Sequence, residues 1–278
     1  MPFTPSHAVV ALPFIRTPLI PAAIAIGAMT PDLPLFVRGI GIGYGFTHTF
    51  ANVVWTALLA FVLFLVWRVV LRPAVPQLAP SWIATRLPAQ WWLSGRAAAP
   101  NAVGVGESRG YPLLLAVSFV LGVLSHIVWD LFTHEGRAGV DAVPLLAAMW
   151  GPLPGYKWLQ HGSSVIGLLI IGIWALTWLT RRAPQPLPKR QLPDAVRVAW
   201  WISLPLILLA AWVLGYQMMG PFTAEFTAQH LAYRVLPPAC ALWAALTLVL
   251  CIVLAVRRPA DAPLEGGAAQ SGRGSHSA

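Results

Sequence analysis

The sequence predicts an all-α polytopic membrane protein, and three observations carry that expectation. Of 278 residues, 58% are hydrophobic and only 10% charged, against about 25% charged in soluble domains. The apolar residues gather into uncharged runs at 50–67, 110–125, 162–180, 198–224 and 235–256, each holding or approaching the ~20 residues that span a hydrocarbon core. The basic residues sit between these runs in alternation. Arg68, Arg72, Arg86, Arg96 and Arg109 fill one connection, Arg181, Arg182, Lys189, Arg190 and Arg197 another, and Arg257, Arg258 and Arg273 follow the last run. The remaining connections carry only Arg38, Arg137, Lys157 and Arg234. By the positive-inside rule the arginine-rich loops and the C-terminal tail face the cytoplasm, so the formal net charge of +9 reflects topology and no nucleic-acid partner is expected.

The chain opens Met1-Pro-Phe-Thr-Pro-Ser-His7, with Thr4 or Ser6 suited to cap a first helix. His7 reads either as a solvated terminal histidine or as the first of several ligand-type residues. The stretch 8–29 is apolar enough to insert, but Pro13, Pro18 and Pro21 interrupt any continuous hydrogen-bond ladder,. Two half-helices are expected there, as a re-entrant hairpin or a broken sixth span. No basic region precedes the run, so a cleavable signal peptide is not expected. Gly27-Ala-Met-Thr-Pro31-Asp32-Leu-Pro34 ends the segment in a rigid turn that presents Asp32, either as an ordinary turn residue or as a site residue. His48, in Phe46-Thr47-His48-Thr49 at the mouth of the next run, has the same two readings, interfacial cap or ligand.

Residues 73–109 form the longest loop, with Trp82, Trp91 and Trp92 suited to a headgroup interface,; a peripheral cytoplasmic cover is expected. The next run ends Ser125-His126-Ile-Val-Trp-Asp130-Leu-Phe-Thr-His134-Glu-Gly136. On a helix, His126, Asp130 and His134 form one ridge, since each step of four residues advances roughly 6 Å and drifts about 40°. Burying the carboxylate in a membrane helix costs about 2.5–3.5 kcal/mol by insertion scales unless something neutralises it, and a bound cation is one such partner. Gly136 and Gly139 are expected to stop that helix.

Beyond a Gly- and Pro-containing loop lies Tyr156-Lys157-Trp-Leu-Gln160-His161-Gly-Ser163-Ser164. With the two serines as caps of the following helix, Lys157, Gln160, His161 and the serine amides would form an anion cradle; the competing readings are a plain helix start, or His161 as another metal ligand. The last two runs have no ionisable residue in their interiors. Cys240 and Cys251, eleven positions apart on one helix and so roughly 16 Å apart, cannot pair and read as small apolar residues. The expected organisation is a core at 1–180, two further transmembrane helices within 181–258 and a disordered Gly-, Ala- and Ser-rich tail at 259–278.

In combination, MPFTPSH, GAMTPD, FTHT, SHIVWDLFTHEG and YKWLQHGSS resemble a bacterial family of multi-pass membrane proteins, domain of unknown function 4184, over most of 1–180. More distantly, the order His, Pro-Asp, Thr-His, Ser-His-x3-Asp is similar to membrane-bound metal-dependent hydrolases and zinc-dependent phospholipase C. The resemblance implies a metal site at His7, Asp32, His48, His126 and Asp130 acting on phosphoesters, with His134 and His161 belonging to the closer family's pattern. A single His-x3-Asp pair makes one or two ions the expectation. Mixed imidazole and carboxylate donors suit Zn²⁺ or Mn²⁺. The leading expectation is therefore a hydrolase of the bacterial inner membrane, its metal site toward the outer face and His134, His161 and Lys157 as catalytic candidates. Its substrate would be a lipid or lipid-linked phosphate. The alternatives are a cation or proton transporter using the His/Asp ridge and a non-enzymatic scaffold.

Overall fold

The computed structural model describes residues 3–257 apart from 38–40, 94 and 107; Arg38, Glu107 and the tail expected at 259–278 lie outside the described residues. Two short helices come first, α1 (Thr4–Phe14) and α2 (Pro21–Met29). Five long apolar helices follow: α3 (Phe50–Leu78), α4 (Tyr111–Thr133), α5 (Gly155–Thr180), α6 (Asp194–Met219) and α7 (Ala228–Arg257). The shortest has 23 residues, about 34 Å at ~1.5 Å per residue, and so exceeds a hydrocarbon core of ~30 Å. The protein is an all-α polytopic membrane protein, and its described strands are one antiparallel pair, β1 (Met149–Trp150) with β2 (Leu153–Pro154).

Successive long helices alternate in direction, which gives the bundle two chemically different ends. Arg72, Arg109, Arg181, Arg197 and Arg257 belong to one, the arginine end. The opposite end gathers the start of α3, the end of α4 and the start of α5. The proline-broken segment folds back on itself as a hairpin. Pro13, Pro18 and Pro21 withhold three backbone donors around the turn,. α1 is an 11-residue 3₁₀ helix, long for a geometry with strained hydrogen bonds, and it is held from outside. Its leading Phe3 amide donates to Ser164 Oγ on α5 at 2.9 Å. Close packing adds to this, since a Cβ on Gly167 would come within 3.1 Å of the Ser6 carbonyl. The hairpin turn is tied to α4 by the Ile20 amide, which donates to Ser118 Oγ at 2.9 Å.

α2 crosses α4 where both carry glycine. A Cβ on Gly122 would lie 2.3 Å from the Ile24 carbonyl oxygen, and one on Gly27 would lie 2.7 Å from that of Phe119. Two helix backbones approach this closely only where neither bears a side chain. Below the crossing, Ala23, Ala60, Phe64, Leu115 and Phe119 form the apolar core that joins α2, α3 and α4. α7 joins through Cys251 and Leu254 against Ala74 and Leu78, and α6 through Trp201, whose indole donates to the Leu78 carbonyl at 2.9 Å. Both cysteines are free.

Three boundaries differ from the sequence expectation. α3 runs past Arg68 and Arg72 to Leu78 through a π-helical turn at Trp67–Leu71, so residues 73–78 are helix rather than loop, and Ala79, Ala84 and Trp92 give the remaining connection a small core of its own. α4 ends at Thr133, three residues before Gly136, with His134 extended; Gly139 belongs to the next short helix, Ala138–Ala142. α5 starts at Gly155, so Ser163 and Ser164 lie inside the helix. Their hydroxyls donate to the Gln160 carbonyl, and no capped terminus forms there.

Candidate metal centre

The apolar lining of α4 leaves His126 and Asp130 as a one-turn ridge aimed at the hairpin. The glycine crossing brings the Ala28 carbonyl within 2.7 Å of His126 Nδ1. A carbonyl can only accept, so this contact fixes the proton on Nδ1 and turns the Nε2 lone pair inward. His48 repeats the arrangement at the end of a short helix, Tyr44–Thr47: its Nδ1 lies 2.9 Å from the Tyr44 carbonyl, one helical turn earlier, and its Nε2 faces the same point. Asp32 closes the 3₁₀ turn Thr30–Asp32 after α2. That turn is fastened by Thr47 Oγ1 donating to the Pro31 carbonyl at 2.7 Å and by Thr4 Oγ1 donating to Asp32 Oδ2 at 2.7 Å. His7, on the first part of α1, stacks on the His126 ring with centroids 4.0 Å apart.

The result is a buried cluster. Asp32, His48, His126 and Asp130 are each at most 5% exposed, and His7 is 8% exposed. His48 Nε2 and His126 Nε2 are 3.1 Å apart; Asp130 Oδ2 lies 3.4 Å from the first and 3.5 Å from the second, and Asp32 Oδ1 lies 3.7 Å from both. These atoms are all acceptors in the neutral-imidazole, ionised-carboxylate state, and among the described residues no lysine or arginine pairs with either carboxylate. Asp32 Oδ1, Asp130 Oδ1 and His7 Nε2 are buried without any hydrogen bond, an arrangement that costs about 1–3 kcal/mol per group or more when charged. A proton shared between the two Nε2 atoms relieves one contact and leaves those three orphaned. A divalent cation relieves several at once and offsets both carboxylate charges. The spacing suits it, because four-coordinate zinc with bonds of ~2.0–2.1 Å holds its ligand atoms about 3.3 Å apart. The cluster can therefore hold a metal ion, through His48, His126 and Asp130 or through His7, Asp32 and His126.

The local electrostatics fit a cation site. Burial works against a charge on His48, but its attraction to Asp130 and Asp32 outweighs this and raises its pKa above the ordinary value. Burial, reinforced by the same two carboxylates, pushes the Tyr44 phenol up. Tyr44 therefore stays protonated and donates to Asp130 Oδ2 at 3.3 Å, while its ring stacks on His48 with centroids 3.6 Å apart.

Of the residues singled out in the sequence, His7, Asp32, His48, His126 and Asp130 meet in this one cluster. His134 meets it differently from the expected ridge. It lies beyond the end of α4, and its ring turns back so that Nδ1 is 3.3 Å from the Asp130 carbonyl and 3.5 Å from Asp130 Oδ1. Its Nε2 accepts from the amide of fully buried Gln160 at 3.2 Å, and Gln160 Oε1 in turn accepts from Lys157 Nζ at 3.0 Å. Lys157 thus reaches the cluster only through Gln160 and His134. His161 is exposed on α5 and joins none of the metal-competent groups among the described residues. The anion cradle expected at 157–164 does not form, because α5 begins at Gly155 and the serine amides are internal to it. Sequence reasoning passed over Tyr44 and read Thr4 or Ser6 as a helix cap; both lie inside α1, whose capping position is Phe3, and the Thr4 hydroxyl serves Asp32 instead. The signal for Tyr44 was its place four residues before His48, one turn of helix.

No curated protein matches this chain, and no solved structure matches it. A family model does, across residues 1–256. That span takes in the hairpin, the His/Asp cluster and nearly all of α7, so the chain belongs to the family described as Domain of unknown function (DUF4184).

Proposed function

We propose that this protein is a membrane-embedded metal-dependent hydrolase whose substrate is a phosphoester, carried on a lipid or a lipid-linked group. The observation that carries the metal reading is the pair of imidazole Nε2 atoms 3.1 Å apart, each with its Nδ1 committed to a backbone carbonyl, among carboxylate oxygens that no lysine or arginine among the described residues pairs with. Zn²⁺ or Mn²⁺ fits the mixed donors. An imidazole nitrogen has one lone pair and serves one ion, so sharing His126 between the two groups favours a single ion on His48, His126 and Asp130. A second ion at His7 and Asp32 would need a bridging carboxylate.

Such an ion supplies Lewis acidity and an activated water. The remaining work falls to the chain. His126 and His48 are oriented by the Ala28 and Tyr44 carbonyls, the outer hydrogen bonds that tune ligands in metal sites. His134 accepts at Nε2 from Gln160 and holds its proton at Nδ1 beside Asp130; with neither ring nitrogen offering a free lone pair to the reacting water, it is suited to positioning the Asp130 carboxylate. Lys157, through Gln160, holds His134 in that tautomer; His161 is not part of this reading. With the arginine-rich loops in the cytoplasm, the site lies toward the outer face of a bacterial inner membrane, where lipid-linked phosphates are accessible laterally. A transporter would need the ionisable ridge to continue along its helix, but between His126 and the arginine end α4 carries only the hydroxyls of Ser125 and Ser118 and, at its first turn, that of Tyr111.

The test is metal analysis of detergent-purified protein beside an Asp130→Asn/His126→Ala variant at matched circular dichroism. We expect near-stoichiometric Zn or Mn in the parent, its loss in the folded double variant, and its retention in His134→Gln. Absence of metal from the parent after reconstitution with both ions removes the proposal.

A further inference from the structure

At the arginine end, a cavity of about 460 Å³ opens between the hairpin turn and the last turns of α5, lined by Leu12, Pro13, Ile15, Trp174 and Trp178 together with Arg16, Arg181 and Arg182. The three guanidinium groups come from segments more than 160 positions apart in sequence, and the fold-back of the hairpin is what brings Arg16 to the other two. Among the described residues none of the three has a carboxylate within ion-pair distance. Arg182 is braced, with its Nε donating to the Arg86 carbonyl at 2.8 Å and its guanidinium 4.9 Å from the Trp178 ring. Trp174 and Trp178 stack one helical turn apart on the same face. The three arginines are exposed, and like charges gathered beside an apolar wall and two amphipathic rings, with no carboxylate within ion-pair distance among the described residues, suit an anion that is itself half apolar. An anionic phospholipid has that chemistry.

We propose that this cavity binds an anionic phospholipid. The phosphate lies among Arg16, Arg181 and Arg182, and the glycerol and upper acyl chain lie against Trp174, Trp178 and Leu12. Bound there, the lipid fastens the hairpin turn to α5, at the opposite end of the hairpin from His7. The inference does not depend on the metal reading.

The two tryptophans provide the test. Protein in nanodiscs is titrated with phosphatidylglycerol carrying brominated chains, or with the same chains on phosphatidylcholine. Subtracting the quenching of a Trp174→Phe/Trp178→Phe variant isolates the site. Expected is half-maximal quenching at a mole fraction of phosphatidylglycerol about fivefold or more below that of phosphatidylcholine, the fold-change that one basic residue contributes near an anionic surface. The preference should vanish in Arg16→Gln/Arg181→Gln, which leaves the Arg182 brace intact, and persist in Arg234→Gln. Equal quenching by the two lipids, or a preference that survives in the double arginine variant, overturns the proposal. So does loss of the preference on exchanging chloride for inorganic phosphate at constant ionic strength, which would make this a site for the free ion.

Discussion

Tyr44 serves the cluster three ways at once: its carbonyl accepts a hydrogen bond from His48 Nδ1, its ring covers the imidazole, and its hydroxyl donates to Asp130. Tyr44→Phe removes only the last of these. We expect metal affinity to fall about 10–100-fold, the usual effect of losing an outer-shell partner, with the circular dichroism spectrum unchanged; parental affinity in Tyr44→Phe would deny the hydroxyl a role. At this scale the cluster residues were legible because histidine and aspartate are rare in apolar runs, so His126 and Asp130 stand out without any structure. Tyr44 was not legible. It lies in a Gly-rich stretch with no periodicity, and an aromatic residue beside glycine has no distinguishing pattern until its neighbour His48 is known to turn inward. His161 shows the converse error, since a histidine within a ligand-like string points to a site only if its helix face does, and here that face is exposed.

Among the elements, the contact of α2 with α4 decides whether the cluster assembles. A Gly122→Ala side chain would press on the Ile24 carbonyl oxygen and the Ala28 amide nitrogen, at 2.3 and 2.8 Å, and backbone cannot rotate away as a side chain can. Overpacking of this kind costs about 1–3 kcal/mol, and the shift it forces would carry the Ala28 carbonyl off His126. The expected outcome is a lower thermal midpoint together with reduced metal content. Gly162→Ala, where a new Cβ meets nothing within 4 Å, should be neutral or slightly stabilising, as alanine is the better helix former by roughly 1 kcal/mol. A parental midpoint for Gly122→Ala would mean the crossing has slack. The five spans could be read from hydropathy alone, but their ends could not. α5 begins eight residues before Ser163 because Tyr156 and Gln160 are buried against the neighbouring loop and His134, a tertiary gain that no local signal carries. The prolines announced a broken segment, while its fold-back depends on Ser118, Ser164 and the glycine crossing, all distant in sequence.

For the whole molecule the hairpin fixes a topological parity: Phe3 and the connection containing Asp141 share one end, and Val103 lies toward the other. With Cys240 and Cys251 replaced by alanine, single cysteines at these three exposed positions can be labelled with a membrane-impermeant thiol reagent on intact cells lacking an outer barrier. Phe3→Cys and Asp141→Cys should react from outside and Val103→Cys only after permeabilisation. Labelling of Phe3→Cys on the same side as Val103→Cys would convert the hairpin into a crossing and detach His7 from the cluster. The parity also constrains how the protein is made. The hairpin's partners Ser118, His126 and Ser164 lie 98 to 161 positions after the residues they hold, so the contacts that fix the hairpin can form only once α4 and α5 have been made. The donor cluster is thereby a late product of biogenesis, completed only when α4 packs against a segment made long before it.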